Sequence, residues 1–590
     1  MRQAPQHLTT RVMNPHGSSS RRGVVTVLAA FLLVGVFAFV AFAVDTGLMA
    51  LTQTEMQNAV DAAALAASQE ITGAIYNAGQ GSGDASVDSN SIAVASAREM
   101  AANVAELNGI YVDPNQDVEF GKRSYDTATG TWPISWGVEP YNVVRVSARR
   151  DNTDTSQPDG RLPLSFGWAV GMPSVEMVTA ATAFVEARDI ELVLDFSASM
   201  NDDSSMTSFG SLGQANVEAS LDAMWSALVT ANPKWPGTTT SKFPSTGFGG
   251  INSYYGTYVS SSTTSTIYNT LSLNSTVGGA VRYPFPQAGR DSSGLPKSKP
   301  SNSTSQSLWY GYIDYVKNLS GTYRKRYGYR TLMDYLQEQH YASNESEDLW
   351  RTKHYPFHGI KAGASLFLSF LTDLDFGDEV GLVSYGGYSQ VETILNDGDA
   401  YVDISSDPIT SNYADIDTIQ THKQAGHYDG WTGMGYGIQD AKEMLIGDPS
   451  DPSNNGHARY GARPTMIIMT DGQTNQGPGS WSLPSGWKWS DWTDYDGDGD
   501  ADYSTSDRKK QYAFWEATEA IRYGVTVHTM SVGTDADRDL MEAIAFAGGG
   551  VWMNVPGGTT VAQMESELIA AFRQIAAKVP PAKLIYSEAN

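Results

Sequence analysis

The stretch that decides the fold is IELVLDFSASMNDD, residues 190–203. Five residues, apolar except for Glu191, run into Asp195, then Ser197 and Ser199 on alternate positions, then Asp202 and Asp203. A continuous apolar run of this length reads as a buried strand. A strand that ends in oxygen side chains at i, i+2 and i+4 suits a hard cation, which wants about six oxygens. Three donors make half a site, so completion requires other strand ends.

The chain downstream supplies them. GWTGMGYG (430–437) puts Thr432 in a glycine-rich loop before a predicted helix, and TMIIMTDGQTN (465–475) puts Asp471 directly after a second apolar strand. Between and beyond these, strands and helices alternate. A helical pattern carries Ile360, Ala364, Phe367, Leu368, Leu371 and Leu374, and EVGLVSY (379–385) and QVETIL (390–395) read as strands. A helix follows over 434–445, another over 507–524, the strand VTVHTMSVG over 525–533, and two last helices from DRDLMEAIAFAGGG and VAQMESELIAAFRQIAAKV. Alternating β and α units predict a doubly wound, mainly parallel sheet, whose ligands sit at the carboxyl ends of strands.

Asp-x-Ser-x-Ser, a distant Thr and an Asp in a TDG turn resemble the metal-ion-dependent adhesion site of von Willebrand factor A domains. The resemblance spans 189–579, interrupted by an insertion at 201–357. It implies Mg²⁺ (or Mn²⁺) at Asp195, Ser197, Ser199, Thr432 and Asp471, with one coordination position left for an acidic group of a protein partner. It also implies binding rather than catalysis, since no base or nucleophile stands in the arrangement. In the related integrin β-subunit domains two Asp at this spacing hold an adjacent Ca²⁺; Asp202 and Asp203 fit that spacing and equally fit an acidic loop start. A further Ca²⁺ signal is DYDGDGDADYST (494–505). Asp494, Asp496, Asp498, Asp500 and Asp502 with Gly499 match an EF-hand-type loop, but Thr505 stands where the bidentate Glu would be and no clear helix precedes. The position after the TDG strand suggests a place near the metal face.

The N-terminus carries a different signal. Val24–Val44 is 21 residues without a charge, enough to span a bilayer. Arg2, Arg11, Arg21 and Arg22 precede it with no acid among them, and Asp45, Glu55 and Asp61 follow, which places residues 1–23 in the cytoplasm and the bulk outside. AFA (41–43) leaves a cleaved signal peptide as the competing reading. The length of the run and the helical pattern beyond it favour a retained membrane helix. RRGVVTVLAAFL…AVDTGLMALTQTEMQNAVDAAALAAS resembles the N-terminal segment of TadE/TadG-like Flp (tight-adherence) pilus-assembly proteins, through its Arg-Gly start, VD.G exit and Ala-rich repeat. Leu28 stands where prepilin-type processing needs a Glu, so no such cleavage is expected. The resemblance implies a single-pass bacterial inner-membrane protein whose bulk is periplasmic or extracellular and whose partner is a pilus or secretion-system component.

Residues 45–188 predict a long helix packed on a small antiparallel sheet, pilin-like in outline. The glycine-rich 78–91 reads as a break, 91–107 as a helix, and QDVEFGKRSY, TWPISWG, YNVVRVSARR and VEMVTAATAFVEAR as strands. The insertion opens with a helical pattern (Val217, Leu221, Met224, Trp225, Leu228), passes through SSSTTST (260–266) and is rich in Tyr and Trp. It is either a binding subdomain or a decoration with its own aromatic core; solvent exposure of Trp309 and Tyr310 would favour the first, and with it a surface adhesin that binds glycan or matrix. Residues 580–590 read as a tail.

Composition narrows the function. Net charge is 39 − 65 = −26, a field that repels nucleic acid and attracts cations. There is no cysteine, which excludes thiol catalysis, zinc–thiolate sites and disulfides. The 590 residues suit several domains. The histidines form no ligand pair, and no Ser-His-Asp-like or paired-carboxylate constellation supports an enzyme. The expected architecture is α/β: a transmembrane helix with a pilin-like α+β stalk, then a doubly wound von Willebrand A (Rossmann-like) domain with a large insertion.

Overall fold

The computed structural model describes residues 22–81, 89–201, 256–283, 285, 301–328, 331–332, 335, 356–396, 400–423, 425, 431–448, 451, 455–457, 459–557, 561–576, 578 and 582–585. Asp202, Asp203 and the helical pattern at 217–228 lie outside these residues.

The apolar N-terminal run and the Ala-rich segment form one helix, α1 (Arg22–Gly81), of 60 residues, which at 1.5 Å per residue is about 90 Å long. Its first part, Val25 to Val44, exposes its large apolar side chains (Phe39 is 78% exposed), and within α1 the stretch Val25–Ile71 is apolar and long enough to cross a membrane. Beyond Asp45 one face turns inward: Met56, Ala59, Val60, Ala63, Ala64 and Ala67 are buried at three- and four-residue spacing. Helix α2 (Ser89–Leu107) answers with Ala93, Ala97, Ala101 and Ala105, small residues that let the two backbones approach. Both helices share a core with an antiparallel sheet of β1 (Val118–Arg123), β2 (Ile134–Trp136), β3 (Val143–Arg150) and β4 (Met177–Phe184). The stalk therefore has the helix-on-sheet form expected.

Three residues after β4 the chain enters β5 (Arg188–Asp195), buried at every position. It is the centre of a six-stranded sheet with β6 (Glu379–Tyr385), β7 (Ser389–Val391), β8 (Arg463–Thr470), β9 (Thr526–Gly533) and β10 (Gly549–Pro556). The spatial order is β7-β6-β5-β8-β9-β10, parallel except for β7. Helices α3 (Phe357–Leu374), α4 (Tyr413–Thr421), α5 (Met434–Ile446), α6 (Arg508–Arg522), α7 (Arg538–Ala547) and α8 (Val561–Ala576) accompany it. Numbered within the sheet, the order is 3-2-1-4-5-6, the doubly wound arrangement whose switch point lies between the first and fourth strands.

Three features depart from the sequence reading. QVETIL is not one strand: it breaks at Glu392, whose buried carboxylate takes the Ser384 hydroxyl at 2.6 Å and pairs with buried Lys423 at 3.2 Å. Val391 ends β7, and Ile394–Asn396 pairs instead with Tyr401–Asp403. A sixth strand, β10, follows the AFAGGG helix; it is an edge strand, half-buried along most of its length, so it lacks the apolar run that marks its neighbours. Finally, the 580–590 tail contributes Lys583–Leu584, which pairs with β4 at the edge of the stalk sheet. Lys583 ties in further through Glu186 at 2.6 Å.

The stalk joins the parallel sheet at the amino ends of its strands. Leu374 and Phe376, just before β6, are buried in the stalk core. Trp132 Nε1 donates to the Tyr460 carbonyl, just before β8, at 2.7 Å. Arg459 lies over the Trp132 and Tyr125 rings at 5.4 and 5.7 Å and pairs with Asp189 (2.5 Å) and Glu379 (3.0 Å). Within β5, Glu191 is buried with neither carboxylate oxygen hydrogen-bonded, and it occupies the space that a side chain on Gly381 would fill.

The described part of the insertion is an aromatic cluster continuous with the domain core. Trp309 is 0% exposed, donates Nε1 to the Tyr283 carbonyl at 3.0 Å and meets Phe285 edge-on at 4.9 Å. Tyr310 is partly buried against the same cluster.

Candidate metal centre

Asp195 ends β5 and is fully buried. Its Oδ1 accepts the Ser197 N–H at 2.8 Å and its Oδ2 the Thr470 hydroxyl at 2.7 Å. Burial raises its pKa, and those neutral donors only partly oppose the rise. Ser197 and Ser199 fall in the turn after the strand, with Oγ atoms 3.0 Å apart, and Ser199 donates to Asp471 Oδ1 at 2.7 Å. Asp471, buried, follows β8, the strand beside β5, so the two carboxylates lie across the switch point.

Thr432 comes from the loop before α5. Its N–H donates to Asn475 Oδ1 at 2.8 Å, and its carbonyl accepts from Asn475 N at 2.9 Å and Thr474 Oγ1 at 3.1 Å. The hydroxyls of Ser199 and Thr432 lie 3.6 and 4.0 Å from the point where a Cβ on Gly472 would stand. Gly433 lets the Thr432 loop press on the turn after β6: a Cβ there would meet the Gly386 carbonyl at 2.9 Å. The structure thus gathers all five sequence-predicted donors at one end of the sheet.

The donor chemistry fits a hard divalent cation. Two carboxylates and three hydroxyls are oxygen ligands, and the neutral hydrogen-bond donors around Asp195 leave part of the cost of burying its charge uncompensated, a cost that a cation would offset. The supporting residues were not picked out from sequence. Thr470 opens the TDG turn and Asn475 stands three residues past its glycine, and their polar side chains in TDGQTN were the available signal. Tyr385, whose hydroxyl donates to the Met469 carbonyl at 2.6 Å, carried none; burial and the neighbouring Asp195 push its phenol pKa well up.

A second acidic group, Asp189, Glu379 and His457, stands at the opposite end of the sheet. The Arg459 guanidinium pairs with both carboxylates there, and His457 Nε2 lies 2.5 Å from Glu379 Oε2. This cluster fastens the stalk junction.

In the Asp-rich loop, oxygens of Asp494, Asp496 and Asp502 lie within 4.8 Å of one another. Asp494 braces the loop by accepting from Gly497 N (2.7 Å) and Gly499 N (2.9 Å), both glycines at positive φ. Asp498 and Asp500 are exposed, and Asp498 Oδ1 accepts the Asp500 N–H at 2.8 Å. A short helix, Ser490–Thr493, does precede the loop. The loop is not at the metal face. Trp487, Trp489 and Tyr503 pack around Phe514 of α6, and Tyr495 meets Phe546 at 4.4 Å, near the end of α7 that leads to the amino end of β10.

This half of the molecule thus has the doubly wound strand order and the strand-end oxygen cluster that the resemblance to von Willebrand factor A domains implies. At the other end of the chain, residues 23–70 match the family model described as putative Flp pilus-assembly TadE/G-like. A search of curated proteins found no match. Among solved structures, similarity extends to BatB from Bacteroides thetaiotaomicron (17% identity, 37% of this chain and 90% of that chain, TM-score 0.22). It extends also to the von Willebrand factor type A protein from Catenulispora acidiphila (16%, 38% of each chain, TM-score 0.23). Proximal thread matrix protein 1 of the mussel byssus, with a zinc-occupied MIDAS motif, is similar at 16% over 37% of this chain and 43% of its own length, TM-score 0.23. This chain thus spans under half of the mussel protein. At these scores the fold assignment rests on strand order, not on the neighbours.

Proposed function

We propose that this chain is a membrane-anchored, metal-dependent protein-binding component of Tad/Flp-type pilus assembly or surface attachment. The observation that carries the reading is the polarity of the molecule. The stalk fastens to the amino ends of the parallel strands, and the five oxygen donors stand at the carboxyl ends, about 23 Å away along an eight-residue strand. A partner-binding site is thereby held on the face away from the membrane helix.

In this reading Asp195, Ser197, Ser199, Thr432 and Asp471 hold Mg²⁺ or Mn²⁺, and the ion supplies a Lewis-acid position for a carboxylate of the partner. Thr470 and Ser197 N–H fix the Asp195 carboxylate, and Asn475 fixes the Thr432 loop, so the donors are preorganised. The role is binding and not catalysis, because the side chains around the donors are hydroxyls and carboxylates engaged with one another. Ca²⁺ is assigned to the Asp-rich loop through Asp494, Asp496 and Asp502. The chain lies in a bacterial inner membrane, its N-terminus cytoplasmic and its bulk periplasmic, in keeping with the charge asymmetry around α1 and the pilus-assembly match. The burial of Trp309 speaks against an adhesin that binds glycan through that side chain.

The test is capture of the partner from membranes by wild type and Asp195→Ala, each with Mg²⁺ and with chelator. Capture is expected only by wild type with Mg²⁺. Equal retention in all four conditions would sink the proposal and move the binding surface elsewhere.

A further inference from the structure

Ten residues without a charge, LSFGWAVGMP (164–173), form a loop beside the outer part of the apolar half of α1. Phe166, Trp168, Val170 and Met172 are 43, 68, 79 and 56% exposed, an unusual density of large apolar side chains for a water-facing loop. The loop and α1 enclose a groove of about 670 Å³ whose walls include Val34, Phe37 and Ala41 on the helix and Ala169, Val170 and Met172 on the loop. Val34 is eleven residues before Asp45, about 16 Å further along the helix toward its N-terminus.

Four backbone N–H groups of this loop are bonded within it. Leu164 N donates to the Pro173 carbonyl (2.9 Å), Ala169 N to Phe166 (3.0 Å), Gly171 N to Trp168 (3.2 Å) and Met172 N to Gly167 (2.9 Å). Two N–H groups at its start, Ser165 and Phe166, are taken by the buried Asp45 carboxylate at 2.8 and 3.0 Å. Trp168 Nε1 donates to the Ser165 carbonyl at 3.1 Å. Bonded backbone N–H groups under an apolar exterior suit hydrocarbon, where an unbonded one is costly. Charge resumes only at the neck, where Arg161 pairs with Glu176 at 2.9 Å. Tryptophan on such a tip is a side chain that favours the bilayer interface.

We propose that the 164–173 loop is a second membrane contact: its tip enters the leaflet on the stalk side next to α1, and lipid acyl chains occupy the groove between them. The lipid-facing surface of α1 continues directly into the groove, which is what selects lipid as the occupant. The Asp45 carboxylate locks the loop to the helix at the point of exit, so the stalk is fixed in orientation relative to the membrane rather than free to swing on one helix. This inference rests on α1 crossing a bilayer.

The absence of cysteine makes the test clean. Val170→Cys, Phe31→Cys and Tyr460→Cys are each labelled with bimane in the full-length chain, reconstituted in phosphatidylethanolamine/phosphatidylglycerol vesicles, and quenched with mid-chain brominated lipid. Labels at 31 and 170 are expected to lose most of their fluorescence, while the label at 460 keeps it. Quenching at 31 without quenching at 170 overturns the loop contact and leaves the membrane helix standing. Quenching at neither position overturns both. An unquenched label at 170, together with disulfide crosslinking between chains when the unlabelled Val170→Cys protein is oxidised, assigns the groove to a second copy and overturns the lipid proposal.

Discussion

Asp195→Asn separates the metal from the fold. In the metal-free protein the change is nearly isosteric. Asn Oδ1 accepts the Ser197 N–H that Asp195 now holds at 2.8 Å. Its amide faces Thr470, whose hydroxyl has the Gly472 carbonyl as an alternative acceptor at 3.2 Å. One buried charge is removed, the Ser197 N–H keeps its acceptor and Thr470 has another, so without metal the variant should be about as stable as wild type. With metal the two diverge. At free Mg²⁺ a hundredfold above its dissociation constant, an ion that binds only the folded state contributes about 2.7 kcal/mol. For a domain of this size that is a rise of roughly 5–11 °C in melting temperature. If losing the carboxylate charge weakens the site a hundredfold, the same Mg²⁺ contributes only about 0.4 kcal/mol, or roughly 1–2 °C. The assay is a thermal scan of both full-length proteins in detergent, with Mg²⁺ and with chelator. Equal shifts in the two proteins would refute Asp195 as a ligand. A variant destabilised in chelator would show instead that its carboxylate is a structural element.

The buried Glu191 gives a pH-dependent case: burial and nearby Asp440 raise its pKa well above the ordinary Glu value. Its contribution to stability is therefore fullest below the unfolded pKa and is lost as pH rises through the folded one, so Glu191→Met should stabilise by about 1–3 kcal/mol, more at pH 7 than at pH 5. Thermal scans at both values check it, and a variant less stable at both contradicts it. Arg459→Ala leaves Asp189 buried beside Glu379 and should cost about 3–5 kcal/mol; limited proteolysis is expected to cut near the stalk junction first, and an unchanged cleavage pattern counts against the junction. For the Asp-rich loop, calorimetry should show a Ca²⁺ site of roughly 10⁻⁴–10⁻³ M that disappears in the double change Asp496→Ala, Asp502→Ala. An unchanged number of sites means that the loop is only solvated.

Local patterns carried a great deal in this chain. The charge-free run at 24–44 and its continuation needed no partner to be read as one helix, because helical periodicity and length are properties of neighbouring residues. The spacing of Asp195, Ser197 and Ser199 was legible for the same reason, and Thr432 and Asp471 were legible because each stands at the end of an obvious element. What the tertiary structure decided was everything set by contacts between distant residues. Glu392 broke a predicted strand because Lys423 and Ser384 meet it in the core. The edge strand β10 lacked an apolar signature because only part of it is buried. Thr470 became the brace of Asp195 across 275 positions of sequence. The Asp-rich loop was carried away from the metal face by tryptophans that pack on α6. Asp45, legible only as the acid after a membrane run, proved to hold two backbone N–H groups 120 and 121 residues away. Spacing along the chain specifies which side chains share a strand end or a helix face. Which buried polar groups satisfy one another depends on how those faces meet, and that is settled only when the sheet assembles.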